Sequence, residues 1–377
     1  MKKALTLCLA LVFIFVMAAF PASAATKDLY VKDGGTGDGS QASPFGTLED
    51  AYAAAAALTD DVVIHLDGVT TAETGHFTAP AHTNAITLTG TLKDAHTADW
   101  FFISGGPLTL KNLTIEAGAK NVFFLAGVNP FTVDEGVVTT KACIYGVGSV
   151  STDITAGDVN ITVKSGTFND VAIFRQGAVN NIDGNGKITV SGTAEINNLV
   201  VARNSWKTIN NAEFILEGGK VNRFVGNCDR TASTMLGENK TGVSGKFTLT
   251  VKSGFNFAES FGETNSATTI FGISGSTVAV SGKDAVGVAE YVLVLDEAIY
   301  DTVKNNADKC QADSFDSIEK LAAGTTTPTD PTPSNPTPTN PTPSTPATGS
   351  TTVIVAAAAV CSILGAAYLL AKKKENA

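Results

Sequence analysis

Short apolar-x-apolar triplets recur along the middle of this chain, starting at Ile64, Ile86, Leu108, Phe131, Ile161, Ile188, Phe214, Leu249 and Val278. The intervals between them are 22, 22, 23, 30, 27, 26, 35 and 29 residues. Five triplets run through one or two polar residues into glycine, at Gly166, Gly192, Gly218, Gly254 and Gly282. Ile161-Thr-Val-Lys-Ser-Gly166 and Leu249-Thr-Val-Lys-Ser-Gly254 differ only at the first position. A long repeat built on period-two strands marks a solenoid, in which no unit can bury its apolar face until neighbours stack on it. Alternation puts Ile161 and Val163 inward and Thr162 outward, and β-branched residues suit that pleat. Each glycine supplies the positive φ needed to leave the strand in a tight corner. The spacing predicts an all-β fold, a parallel β-helix of about nine coils over 62–295, with 228–243 as a projecting loop. A β-sandwich also uses many short strands, but its turns come every eight to twelve residues, whereas these near-identical strands return after 26 or more.

The open ends of such a stack expose strand edges that need covering. In the leading segment, 25–61, Thr47-Leu-Glu-Asp50 has the form of a capping box, and Ala51 to Leu58 favours a helix that can lie over the first coil. In 296–323, Ser314 to Ala323 spaces Phe315, Ile318 and Leu321 as one face of a second capping helix.

The run Leu29-Tyr-Val-Lys-Asp-Gly-Gly-Thr-Gly-Asp-Gly-Ser-Gln-Ala-Ser-Pro-Phe-Gly-Thr-Leu-Glu-Asp-Ala51 resembles the opening of pectin-lyase-like right-handed parallel β-helix proteins. There a first strand and a Gly/Asp-rich turn lead through Ser-Pro-Phe and Thr-Leu into a capping helix. The resemblance is confined to these residues and implies the fold. It implies little about activity, because that fold carries lyases, hydrolases, adhesins and inert surface modules.

The two ends give a location. Met1-Lys2-Lys3, the apolar run Ala4–Phe20 and Pro21-Ala22-Ser23-Ala24 read as a signal peptide over 1–24. At the other end, within 350–371, Val353 to Ala371 holds 19 residues without a charge and stops at Lys372-Lys373-Lys374. A helix of that length rises about 28 Å and spans a bilayer. The basic tail, 372–377, orients it with the bulk of the chain outside. Before the span, 324–349 is a linker carrying eight of the 13 prolines, a stiff stalk of polyproline II character. It ends in Thr345-Pro346-Ala347-Thr348-Gly349, which resembles the Leu-Pro-x-Thr-Gly sorting signal of Gram-positive surface proteins, cut by a sortase between Thr and Gly. Here Thr345 stands where that signal has leucine. The other reading is a linker leading into a permanent membrane helix. Both readings place the ectodomain on the outer face of the cell envelope.

Of 26 Lys+Arg and 36 Asp+Glu, five cations and two acids lie outside 26–323. That segment therefore holds 21 against 34, a net charge near −13. Nucleic acid is excluded as a partner, since phosphate neutralisation needs a basic face. Cys143, Cys228 and Cys310 have no metal or disulfide spacing, and His65, His76, His82 and His96 fit no helix-borne metal motif. Asp33–Gly39 reads as a plain turn in preference to a calcium cradle, and nothing points to a cofactor. Asn180-Asn181, Asn197-Asn198 and Asn210-Asn211 suit side-chain ladders along the axis.

A lyase of this fold needs a basic residue opposite clustered carboxylates. Arg175, Arg203 and Arg223 stand 9, 11 and 4 residues beyond Gly166, Gly192 and Gly219, so they are not expected to share a coil position. No catalytic residue is assigned. Trp206, with Arg203 and Arg223, is the candidate ligand-binding set, Trp206 serving as a sugar platform. The expectation is a non-catalytic surface-display module, an adhesin whose flank meets carbohydrate or a surface protein. The alternative is a surface polysaccharide lyase or glycoside hydrolase, favoured if the register puts a carboxylate pair and a Lys or Arg in one groove.

Overall fold

The computed structural model describes residues 26–70, 76–93, 99–116, 118, 121–151, 153–203, 205, 207–229, 242–256, 290–305 and 315–322. The chain divides into two compact units, Met1–Ala323 and Gly324–Ala377, and every described element lies in the first.

Alternate strands go to alternate sheets. The large sheet runs, in order, β1 (Thr26–Lys32), β2 (Asp61–Thr70), β4 (Ile86–Lys93), β6 (Leu108–Glu116), β8 (Pro130–Val133), β10 (Val159–Val163), β12 (Ile182–Val190), β14 (Ile209–Leu216), β16 (Lys246–Val251), β17 (Glu290–Leu295) and β18 (Ser317–Lys320). The small sheet holds β3 (His76–Thr78), β5 (Trp100–Ile103), β7 (Val122–Leu125), β9 (Ala142–Val147), β11 (Thr167–Phe174), β13 (Glu195–Arg203) and β15 (Lys220–Asp229). Every ladder between these strands is parallel. A parallel β-solenoid is therefore the fold, and the antiparallel sandwich is ruled out.

Among the described residues, seven rungs, from β2/β3 to β14/β15, carry a strand in both sheets, so the solenoid has about seven turns in place of the nine expected. The eight described triplets mark only large-sheet strands, which continue past the last small-sheet strand among the described residues. Val278, the ninth triplet, lies outside the described residues, and the rung after Leu249 is Leu293.

The register stacks the triplets. One inward column is Val62, Ile86, Leu108, Phe131, Ile161, Ile188, Phe214, Leu249, Leu293 and Ile318. The next is Leu29, Ile64, Leu88, Leu110, Val133, Val163, Val190, Leu216, Val251 and Leu295. Ile64 thus belongs to the second column, two residues along from its expected place, because Val62-Val63-Ile64 is the equivalent triplet. A shift of two keeps the same face inward, whereas a shift of one would expose it. Gly166 and Gly192 have φ of 85° and 57°, as a corner requires. After β14 the positive φ, 71°, falls on Gly219 and not on Gly218. Gly254 is demanded instead by close approach, since a Cβ there would meet the Glu217 carbonyl at 2.4 Å.

The first rung is capped as expected and by more than a helix. Thr47 accepts from the Asp50 N–H at 3.1 Å and caps α1 (Leu48–Ala56), which buries Tyr52 and Ala55 against the core. The Gly/Asp-rich loop covers the free edge of β1 itself: Tyr30 N–H bonds Gly39 O and Phe45 N–H bonds Tyr30 O, both at 2.9 Å. The far end differs from expectation. The helix there is α2 (Glu297–Lys304), capped by Asp296, and the segment expected to be helical supplies the strand β18. Pairing Ile318 with Leu293 on the edge of β17 overrides its helical spacing, so the large sheet runs on into the expected cap.

Truncating Phe131, fully buried mid-column, is expected to cost about 3–5 kcal/mol. The Thr162→Ala change on the same sheet's outer face should cost under about 1 kcal/mol. Urea denaturation of the two variants against wild type checks both.

Candidate functional site

Outward positions on the large sheet are as regular as inward ones. Thr87, Thr109, Thr132, Thr162 and Thr189 stand in direct register, and beside them Lys111, Asp134 and Lys164 follow on successive rungs. Asp134 meets each of those lysines at 3.1 Å. Burial raises the Asp134 pKa, but hydrogen bonds from Lys164 and Lys111 outweigh that and hold it below the ordinary carboxylate value.

Across β10, β12, β14 and β16 this outer face opens into a groove of about 520 Å³ whose lining includes Asp158, Asn160, Asn185, Lys187, Asn211, Glu213, Lys246 and Thr248. Lys187 pairs with Glu213 at 2.9 Å, and Lys246 with Glu290 at 3.3 Å. Asn211 donates to Asn185 Oδ1 at 2.8 Å, and Asn185 donates from backbone and side chain to Asp158 Oδ1. The predicted ladder at 210–211 is therefore real. Its lower rungs, Asp183 under Asn210 and Asn185 under Asn211, are single residues that the search for Asn-Asn pairs missed.

The small sheet's outer face is unlike any sequence expectation. Phe123, Leu125, Cys143, Tyr145, Ala172 and Val200 form a second apolar cluster separate from the core, and Phe101 and Ile103 pack against it. Phe101 and Phe123 stack at 4.9 Å, and Phe123 and Tyr145 at 6.0 Å. These two phenylalanines stand apart from the main core. Arg175 lies over the stack, its guanidinium carbon 4.7 Å from the Phe101 centroid and 4.5 Å from that of Phe123. Such contacts contribute about 0.5–2 kcal/mol, and the arginine stem shields the rings from water.

Arg203 arrives at the same place. Phe174 pairs with Ala202, so Arg175 and Arg203, each one residue further on, occupy one coil position after all. Their different distances from the corner glycines mislead because the corners differ in length: β11 starts one residue after Gly166, but β13 starts three after Gly192. Arg223 pairs with Asn198 in the register, nearer the strand start. Arg203 Nε lies 3.3 Å from Asp170 Oδ1. Asp170 also accepts from the Tyr145 hydroxyl at 2.7 Å and from Asn198 Nδ2 at 2.9 Å. Burial pushes the Tyr145 hydroxyl far above its usual pKa, so it stays a donor. Burial, aided by the nearby Asp170 charge, pushes the Cys143 thiol up to about 12; it is not a nucleophile. An amide ladder borders the cluster, Asn222 to Asn197 at 2.7 Å, Asn197 to Asn169 at 3.2 Å and Asn169 to Asn121 at 3.0 Å. Asn180 and Asn181 instead bond backbone, at Ile154 O and Thr208 N–H.

The remaining candidates are placed as follows. His65 bonds Asp28 at 2.8 Å and stacks on Tyr30. His82 lies between the Tyr52 hydroxyl and the Asn84 carbonyl. Asp33 accepts from Thr70, and Asp38 from the Ser40 N–H, which makes that loop a turn. Among the described residues, no group of three or more His, Cys, Asp or Glu side chains is arranged to hold a metal. Among them also, no helix is long and apolar enough to cross a membrane. Trp206, His96, Cys310, most of the 228–243 loop, the signal segment, the span 350–371 and Thr345-Pro346-Ala347-Thr348-Gly349 lie outside the described residues.

Two outcomes follow. Asp134 has its pKa lowered by folding, so its contribution is complete above the unfolded value of about 3.9. That contribution is lost as pH falls through the lower native value. The Asp134→Asn variant should therefore lose less stability than wild type on acidification below pH 4, read by urea midpoints across pH. Removing the Asp170 carboxylate, only 15 % exposed, with Asp170→Ala takes a shared acceptor from Tyr145, Asn198 and Arg203 and should cost about 1–3 kcal/mol, measured the same way.

Comparison with protein-family models, with curated proteins and with solved structures finds no match to this chain.

Proposed function

We propose that this chain is a non-catalytic display module of the cell envelope, a right-handed pectin-lyase-like β-helix whose large-sheet flank binds carbohydrate. In this reading a signal peptide exports it, and the C-terminal span anchors it through a stalk, with sortase cleavage after Thr348 as one route. The observation that carries the binding reading is the open polar groove across β10, β12, β14 and β16. Its amides, carboxylates and ammonium groups are held by rung-to-rung bonds before any ligand arrives, so little side-chain entropy is lost on binding. Donors and acceptors alternate along it, as sugar hydroxyls require. Lys187 and Lys246 balance Asp158 and Glu213 on its walls, which suits a neutral glycan.

The same groove supports the second reading, a polysaccharide lyase or glycoside hydrolase, because it brings two carboxylates and two lysines together. Against catalysis, each group is already engaged by a neighbour. Asp158 holds the Asn185 backbone and side-chain N–H groups, and Glu213 holds Lys187.

Full-length protein on glycan and matrix-protein arrays should show saturable binding to a polysaccharide. Asn160→Trp, which fills the groove from an exposed position, should weaken that binding at least tenfold with an unchanged melting temperature. Unchanged binding by that variant sinks the groove reading. Depolymerisation of the bound polysaccharide, lost in Glu213→Gln, would establish the catalytic reading in its place.

A further inference from the structure

A second, smaller pocket of about 180 Å³ opens on the outer face of the small sheet, lined by Asn121, Asp170, Arg175, Gln176 and Arg203 above the Phe123 and Tyr145 rings. We infer that this pocket binds the carboxylate of an acidic sugar at the end of a glycan, with Arg175 as the principal ligand-binding residue.

The argument starts from Arg175. Its side chain is mostly withdrawn from water, 18 % exposed. Its plane is held over Phe101 and Phe123. Its backbone is pinned on both sides, by its N–H to Val147 O at 2.9 Å and by the Ala178 N–H to its own carbonyl at 3.1 Å. Yet among the described residues the guanidinium makes no hydrogen bond, since Asp99, its charge partner, is 4.0 Å away. A planar fork of five donors fixed in place, with its hydrogen bonds still to be made, matches a carboxylate in both geometry and charge.

Size and charge narrow the ligand. The pocket is about a third of the groove's volume and accommodates one ring, hence a terminal residue and not the middle of a chain. Asp170 already receives Tyr145, Asn198 and Arg203, and Asp99, the second acid here, is 40 % exposed and at 4.0 Å stands beyond hydrogen-bond reach of the Arg175 fork. A ligand carboxylate in the pocket can make the direct hydrogen bonds that Asp99 does not. The carboxamides of Asn121 and Gln176 offer both donors and acceptors to sugar hydroxyls. Asn121 is held by Asn169 at 3.0 Å, the last bond of the amide ladder. This inference is independent of the groove, which lies on the other sheet.

The test is titration of the full-length protein by ligand-observed NMR with N-acetylneuraminate and with glucuronate, each beside its methyl ester. At least one acid should bind saturably, with its ester at least tenfold weaker, since esterification removes the charge and blocks one of the two oxygens the guanidinium fork would hold. Arg175→Met keeps an apolar stem over the rings and should abolish the preference for the acid. Arg175→Lys keeps the charge without the fork and should retain a reduced preference. Asn160→Trp, which blocks the groove, should leave acid binding unchanged. Equal binding of acid and ester, no binding of either acid, or an undiminished preference in Arg175→Met would overturn the inference.

Discussion

Parallel rung-on-rung pairing is the constraint on which everything else here depends. Each strand satisfies its backbone only through the coils above and below, so neighbouring coils must agree in register residue by residue. Once they do, a side chain's neighbours are the residues at the same position on adjacent rungs. The inward columns from Val62 to Ile318 and from Leu29 to Leu295 are the first consequence. They form one continuous core that no single coil could bury.

The same rule orders the outside. Amides meet amides along Asn222, Asn197, Asn169 and Asn121, and charges alternate along Lys111, Asp134 and Lys164. Exposed pairs of this kind contribute little to stability singly, but they hold the outer face in one conformation. A fixed array of donors and acceptors is what a flank needs in order to recognise a ligand without first ordering itself. The groove and the arginine pocket both lie on that array, one across four strands of the large sheet and one where apolar side chains break the polar pattern.

The arginine-roofed cluster departs most from the general scheme. A solenoid face turned outward should be polar, yet here it presents Phe101, Phe123, Leu125 and Tyr145. Arg175, folded back along the sheet, lets those rings stay dry while keeping charge at the surface. The arrangement combines a packing role with a recognition role in one side chain, because the contact that shields the rings also fixes the guanidinium.

The solenoid, its inward face and its helical N-terminal cap were legible in the sequence, because alternation, β-branching and the Thr47 cap are local properties that each coil repeats. The amide ladders were half legible: doubled asparagines drew attention, while Asn169, Asn185 and Asn222 were too sparse to notice without a register. The shared position of Arg175 and Arg203 was not legible, since coil position depends on corner length, and Gly166 and Gly192 start corners of different size. The strand at Ser317–Lys320 was hidden for a related reason: its apolar spacing suits a helix, and only the free edge of β17 made a strand the better partner. Local pattern thus determined which residues turn inward, whereas which outward residues meet was decided by the tertiary register alone, because contact across rungs follows a count of residues around each whole coil.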